Sequence, residues 1–216
     1  MDIAAARQQM IDQQVRTWEV LDLRVLDALS QVPRERFVPE AYRALAFADT
    51  GVPLPEGQHM LPPKLDGRIL QACGIERGVR LLEVGSGSGF LAACCAAMGA
   101  RVETIELRPT LARLAADNLH AAGCAGVSVT TADAMQFSPR LPYDVVILGA
   151  SLPIYDARFE GWLAPGGRLF AVVGASAPMT ALRVTRVGVD EFARDRLFET
   201  EIDPLQNALQ SPAFVF

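Results

Sequence analysis

The sequence predicts an α/β fold: a doubly wound, mainly parallel sheet with an N-terminal helical cover and a C-terminal β hairpin. Three observations carry that expectation. From residue 79 onward, short β-branched or aliphatic runs alternate with helix-like stretches, the pattern of a parallel sheet covered on both faces. A glycine-rich loop, Gly85-Ser86-Gly87-Ser88-Gly89, stands directly behind the first of those runs. Residues 1 to about 65 show helical spacing and then frequent proline, with no strand-like run. The chain reads as one domain over 1–216, with 1–65 as the cover and 66–216 as the α/β core.

Taken in order, Ile3, Met10, Ile11 and Val15, then Leu21, Val25, Leu26 and Leu29, recur near helical spacing and predict two helices. Pro33, Pro39, Pro53, Pro55, Pro62 and Pro63 then mark a long ordered cover segment. Leu65–Cys73 resembles a helix leading into the core. Strands are expected at Val79–Val84, Arg101–Glu106, Val127–Thr131, Asp144–Ala150 and Arg168–Val173, with helices at Leu91–Met98, Thr110–Ala122 and Ile154–Leu163. Leu182–Val187 and Leu197–Ile202 read as two further strands with no helix between them, hence a closing hairpin.

Composition narrows the function classes. With 216 residues, 50% of them hydrophobic, and a formal net charge of -5, the chain can bury one substantial core and offers no broad basic face for nucleic acid. Met1-Asp2-Ile3 is not the start of a signal peptide. The longest apolar run, Phe90 to Ala100, is too short to cross a bilayer. No membrane partner and a cytoplasmic location are therefore expected. Cys73, Cys94, Cys95 and Cys124 form no Cys-x-x-Cys pair. They read as reduced, mostly buried thiols, and no metal site is expected.

In a doubly wound sheet, ligands sit beyond the C-terminal strand ends where strand order reverses. Glycine removes the Cβ atoms that would block a ligand there, and the next helix offers free N–H groups. The spacing is not that of a dinucleotide fingerprint, because residue 90 is Phe rather than Gly. This counts against a nicotinamide-dependent oxidoreductase. Nor is it a phosphate loop or a nucleophile elbow. Glu106 ends the second strand, 21 residues after Gly85, where a carboxylate can accept from both hydroxyls of a ribose. Asp133, in Ala132-Asp133-Ala134, can accept from an exocyclic amine, or it can cap a turn. Glu83 places a further carboxylate near the loop and suits a ligand carrying an amino group.

Glu83-Val-Gly-Ser-Gly-Ser-Gly89, followed by Glu106 and Asp133, resembles the cofactor motifs of class I S-adenosylmethionine-dependent methyltransferases. Val32-Pro-Arg-Glu-Arg-Phe-Val-Pro39, Asp49 before Pro53-Leu54, Gly57-Gln58, Pro165-Gly-Gly-Arg-Leu169 and Pro204-Leu205 resemble the protein-L-isoaspartate O-methyltransferases, from about residue 10 to 205. The resemblance implies a Rossmann-like methyltransferase fold with S-adenosyl-L-methionine as cofactor and a role in protein repair. The implied cofactor-binding set is Glu83, Gly85, Ser86, Gly87, Ser88, Gly89, Glu106, Leu107, Asp133 and Ala134. The implied acceptor is a protein or peptide bearing an isoaspartyl residue.

The pattern breaks at the acceptor site. In the family, a serine in the motif after Gly-Gln contacts the isoaspartyl carboxylate. Here the segment reads Gln58-His59-Met60-Leu61-Pro62-Pro63, and Leu61 takes the serine's position. No catalytic residue is therefore assigned, and Gln58, His59, Met60 and Leu61 are the candidate substrate-binding residues. One lost hydrogen bond to a charged group costs about 1.5–3 kcal/mol, roughly ten- to a hundredfold in rate. An acceptor carboxylate needs no general base at neutral pH, so methyl transfer can survive the loss. The apolar wall also leaves room for a divergent, small acceptor. His59 is a possible base for a hydroxyl acceptor. Arg34 and Arg36 read as solvated surface, and Ser151 faces the acceptor site or caps a helix. The rival reading is a non-catalytic, regulatory S-adenosylmethionine-binding module.

Overall fold

The alternation that starts near residue 79 closes into a seven-stranded sheet of order β5-β4-β3-β6-β7-β8-β9. The computed structural model describes residues 2–124 and 126–210. Met1 and residues 211–216, the outer ends of the expected 1–216 domain, lie outside the described residues. The parallel strands are β3 (Arg80–Val84), β4 (Arg101–Glu106), β5 (Ser128–Thr131), β6 (Tyr143–Leu152) and β7 (Leu163–Val173). The antiparallel pair β8 (Met179–Arg186) and β9 (Phe192–Thr200) finishes the sheet. This is the doubly wound, mainly parallel architecture expected, with its C-terminal hairpin.

Strand alternation builds two apolar layers. Leu81, Val145, Ile147, Phe170 and Val172 enter one, while Leu82, Val146, Leu148, Leu169 and Ala171 enter the other. The first layer is covered by α1 (Ile3–Met10), α2 (Leu23–Gln31), α3 (Pro63–Cys73) and α4 (Phe90–Ala97), and it takes Leu111 and Leu119 from α5 (Pro109–Ala121). The cover segment thus shares its core with the sheet. Cys73, Cys94 and Cys95 are buried in that layer as free thiols, and burial pushes Cys73 up to about 12. Among the described residues, no helix is long and apolar enough to cross a membrane.

Two expected elements are corrected. The stretch Ile154–Leu163 is not a full helix; only Ala157–Trp162 coils, as a 3-10 segment. Pro153 and Gly161 limit it, and its buried Phe159 and Trp162 cap the second layer instead. The last strand runs Phe192–Thr200 rather than Leu197–Ile202. It is the sheet's edge, and charged, exposed side chains along Arg194–Arg196 mask it as a strand.

Candidate active site

Strand order reverses between β3 and β6, so a crevice opens beyond Val84 and Leu148. The glycine loop turns there from β3 into α4. Gly85, Gly87 and Gly89 all adopt the left-handed region, with φ of +91°, +52° and +85°, where other residues are strained. Gly85 and Gly87 border the crevice. Gly89 has a second constraint: a Cβ there would stand 3.1 Å from the Ala115 carbonyl oxygen and 3.1 Å from Leu119. It seats α4 against α5. Across the switch point lies Gly149, where a Cβ would meet the Val84 carbonyl oxygen at 3.0 Å.

The carboxylates come from neighbouring strand ends. Glu106 is buried at the end of β4 and accepts from the backbone N–H groups of Gly87 at 3.2 Å and Arg108 at 3.0 Å, one on each oxygen. A carboxylate offers about four acceptor positions, so about two remain for a ligand in the crevice that Glu106 lines. Leu107, Asp133 and Ala134 line the same crevice. Asp133 accepts from Met135 N at 2.8 Å, capping its turn, and also from Gln136 and Asn207 side chains. Asp133 thus caps a turn, one of its two sequence readings, and also lines the crevice.

Glu83 is buried, and Thr104 Oγ1 donates to it at 2.6 Å while standing 2.7 Å from Ser86 Oγ. Burial, with the charges of Asp66 and Glu106, pushes Glu83 up to about 8. Ser88 Oγ accepts from Phe90 N at 3.3 Å, and the Ser88 carbonyl accepts from Asn118 at 2.9 Å. Both loop serines therefore brace the loop from inside.

The cover segment supplies the other wall. The short antiparallel strands β1 (Val52–Pro53) and β2 (His59–Met60) hold residues 58–61 over the crevice. Gln58 lines the part of it beside Glu106, Met60 and Leu61 line the part beside Ala177 and Ile202, and His59 borders both. His59 Nδ1 lies 3.0 Å from Asp203.

Arg34 is not solvated as expected. It is 0% exposed and donates to Asp66 at 2.6 Å, to the Leu61 carbonyl at 2.6 Å and to the Ala46 carbonyl at 2.9 Å, with its guanidinium over the Phe90 ring. Burial pushes Asp66 up to about 7 although Arg34 pulls the other way. Arg36 is exposed, as expected. Ser151 neither faces the acceptor site nor caps a helix. It is fully buried, and its backbone clamps the C-terminal segment through Asp203 and Leu205.

Sequence reasoning missed Gly149, Asp203, Asp66 and the inward Arg34. Asp203 lies beside the Pro204-Leu205 motif, which was a usable signal. Gly149 lies in a plain Leu-Gly-Ala run with none.

Comparisons with known proteins give the family and the fold. Residues 5–208 match the family model described as Protein-L-isoaspartate(D-aspartate) O-methyltransferase (PCMT). The chain is 38% identical over 204 residues to protein-L-isoaspartate O-methyltransferase 1 of Rhodopseudomonas palustris, covering 94% of this chain and 83% of that one. It is 37% identical over 212 residues to protein-L-isoaspartate O-methyltransferase of Koribacter versatilis, covering 97% and 95%. In fold it superposes with TM-score 0.82, at 20% identity, on a Plasmodium falciparum chain assigned as a protein-L-isoaspartate O-methyltransferase and crystallised with S-adenosyl-L-homocysteine, covering 93% and 98%. The chain thus belongs to the protein-L-isoaspartate(D-aspartate) O-methyltransferase family, the methyltransferase class to which its glycine loop and strand-end acids point.

Proposed function

We propose that this chain, acting as a single cytoplasmic domain, transfers the methyl group of S-adenosyl-L-methionine to the carboxylate of an isoaspartyl residue in a protein or peptide. The observation that carries the reading is Glu106. Its carboxylate is oriented by two backbone donors and keeps free acceptor positions toward a crevice bordered by Gly85 and Gly87.

The residues fit the cofactor. The glycine backbone leaves the crevice clear of side chains at the loop, and Glu106, Asp133 and Asp203 give it the sign that suits a sulfonium and an ammonium. Gly85 to Gly89 would hold the amino-acid end, Glu106 the ribose, and Leu107, Asp133 and Ala134 the adenine. When bound, the cofactor supplies an electrophilic methyl group. The chain's own part is positioning, which supplies most of the acceleration in such a displacement. Met60, Leu61, Met179 and Ile202 line the acceptor side. The acceptor carboxylate, with an ordinary pKa near ~4, arrives already ionised.

Calorimetric titration should show S-adenosyl-L-homocysteine binding and no response to NAD. Glu106→Ala should weaken the sulfur ligand at least ~tenfold while the chain stays folded. An unchanged dissociation constant would reduce Glu106 to a brace for the loop. Radiolabelled methyl transfer to an isoaspartyl peptide, against its aspartyl twin, tests the acceptor.

A further inference from the structure

We infer that His59, held by Asp203, is the group that recognises the acceptor carboxylate; the inference rests on the function proposed above. The acceptor side of the crevice has a cavity of about 530 Å³. Its lining side chains are mostly apolar, with Met60, Leu61 and Met179 among them, and two are carboxylates, Glu201 and Asp203. A carboxylate brought into this space meets repulsion from both acids unless a donor stands opposite it. Only His59 and Ser176 among the lining side chains carry a donor. Ser176 sits on an exposed bend, away from the cofactor crevice, whereas His59 borders both parts. His59 therefore stands where the two reactants meet.

The ring's orientation decides what it can do. Both Asp203 oxygens face Nδ1, at 3.0 and 3.3 Å. A carboxylate beside Nδ1 keeps the proton on that nitrogen. Nε2, on the far side of the ring, then carries hydrogen only in the imidazolium form. In that form, His59 offsets the charge of Asp203 and presents an N–H to the acceptor. In the neutral form it presents a lone pair, which repels a carboxylate. The role is binding and orientation: the N–H stays on the ring throughout, and the acceptor's charge disappears as the ester forms. Asp203 acts through His59 and is a positioning residue. It is itself anchored, because its backbone carbonyl accepts from Ser151 N at 2.8 Å.

The experiment is the pH profile of kcat/KM for an isoaspartyl peptide, measured on wild type, His59→Gln, Asp203→Asn and Ser176→Ala. Other groups border the same crevice: Asp66, Glu83, Glu106, Arg108, Asp133, Glu201 and Asp203. Asp66 and Glu83 are held at about 7 and about 8. The slope belonging to His59 is therefore the difference between wild type and His59→Gln. Wild type should carry a component of kcat/KM that falls as pH rises, because only the imidazolium offers an Nε2–H. His59→Gln, which keeps a donor but cannot titrate, should lack that component and lose about ten- to a hundredfold at low pH, mostly through KM. Asp203→Asn, which removes the ring's anchor, should lower kcat/KM in the same direction as His59→Gln and by less. Ser176→Ala should match wild type. Parallel profiles for wild type and His59→Gln, with melting temperatures unchanged, would overturn the inference. A component that rises with pH and is lost in His59→Gln would do the same, by making His59 a base. An inactive wild type that still binds S-adenosyl-L-homocysteine would instead bring down the proposed acceptor, and this inference with it.

Discussion

The two sides of the crevice are built by different means. The cofactor side is one short stretch of chain: β3, the glycine loop and the start of α4, with Glu106 from the adjacent strand. Its shape is set by backbone, through left-handed glycines and N–H groups that orient a carboxylate. The acceptor side joins pieces far apart in sequence, namely residues 59–62, the 175–179 bend and 201–204. Its shape is set by side chains, and its polar element, His59 with Asp203, spans 144 residues. Backbone geometry tolerates little change, whereas a patchwork of side chains can be re-equipped one residue at a time. This suits a glycine loop that keeps its motif beside an acceptor wall with Leu61 where the family resemblance leads one to expect a serine.

Arg34 ties the two sides together, and removing it should have the largest effect. It grips the carbonyl of Leu61 on the acceptor wall, pairs with Asp66, and lies over Phe90 at the start of α4. Arg34→Met leaves Asp66 buried without its partner, a loss of about 3–5 kcal/mol. For a chain of this size that corresponds to a melting temperature lower by on the order of 10 °C. The loss should be smaller near pH 6 than near pH 8, because Asp66 can take up a proton. Arg34→Met combined with Asp66→Leu should regain much of the stability. Differential scanning calorimetry of the two variants checks this, and equal melting temperatures for wild type and Arg34→Met would separate the two sides.

Glu83 gives the cofactor side a pH signature of its own. Its carboxyl stays protonated in the folded chain up to about 8, against an ordinary value of 4.5. Between those limits the unfolded chain is the ionised one, so unfolding releases a proton and stability falls as pH rises. Nothing is lost below the lower limit, and the loss is complete above the upper one. Asp66 adds the same trend between 3.8 and about 7. Glu83→Gln keeps the acceptor for Thr104 and removes the titration. Its stability relative to wild type should rise across that window and level off above it, by on the order of 5 kcal/mol. Thermal melts at half-unit pH steps measure the difference; a constant offset would mean that Glu83 ionises in place.

The same contrast governs what could be read from sequence. The parallel strands, the loop and the strand-end acids were legible because each is a local pattern: an apolar run, a glycine spacing, an acid at a strand end. Arg34 was misread as surface because an arginine's default is solvent, and only the fold shows Asp66 and two carbonyls waiting inside. Ser151 was misplaced because its partners lie 51 or more residues further on, in the Ile202–Leu205 segment. The edge strand Phe192–Thr200 was shortened because edge strands hide among charges. The first two misses depend on partners distant in sequence, which periodicity does not encode.

Leu61→Ser should have the smallest effect and separates the two accounts of the acceptor wall. Leu61 is half-buried beside the core, and its carbonyl is pinned by Arg34, so the exchange should leave the backbone in place. It trades apolar packing for a hydroxyl in the wall that His59 also borders. If the lost serine were the whole story, isoaspartyl turnover in the parent would be weak and the variant would gain roughly ten- to a hundredfold at every pH. If His59 already supplies the donor, the gain should be about threefold or less at low pH, where the imidazolium is present. It should grow toward ~tenfold at high pH, where the hydroxyl is the remaining donor, since a serine does not titrate. S-adenosyl-L-homocysteine affinity should hold, because the glycine loop and Glu106 are untouched. Radiolabelled methyl transfer to an isoaspartyl peptide near pH 6 and near pH 9 distinguishes the cases. A gain independent of pH would leave His59 without a part in recognition and assign the donor's place to residue 61 alone.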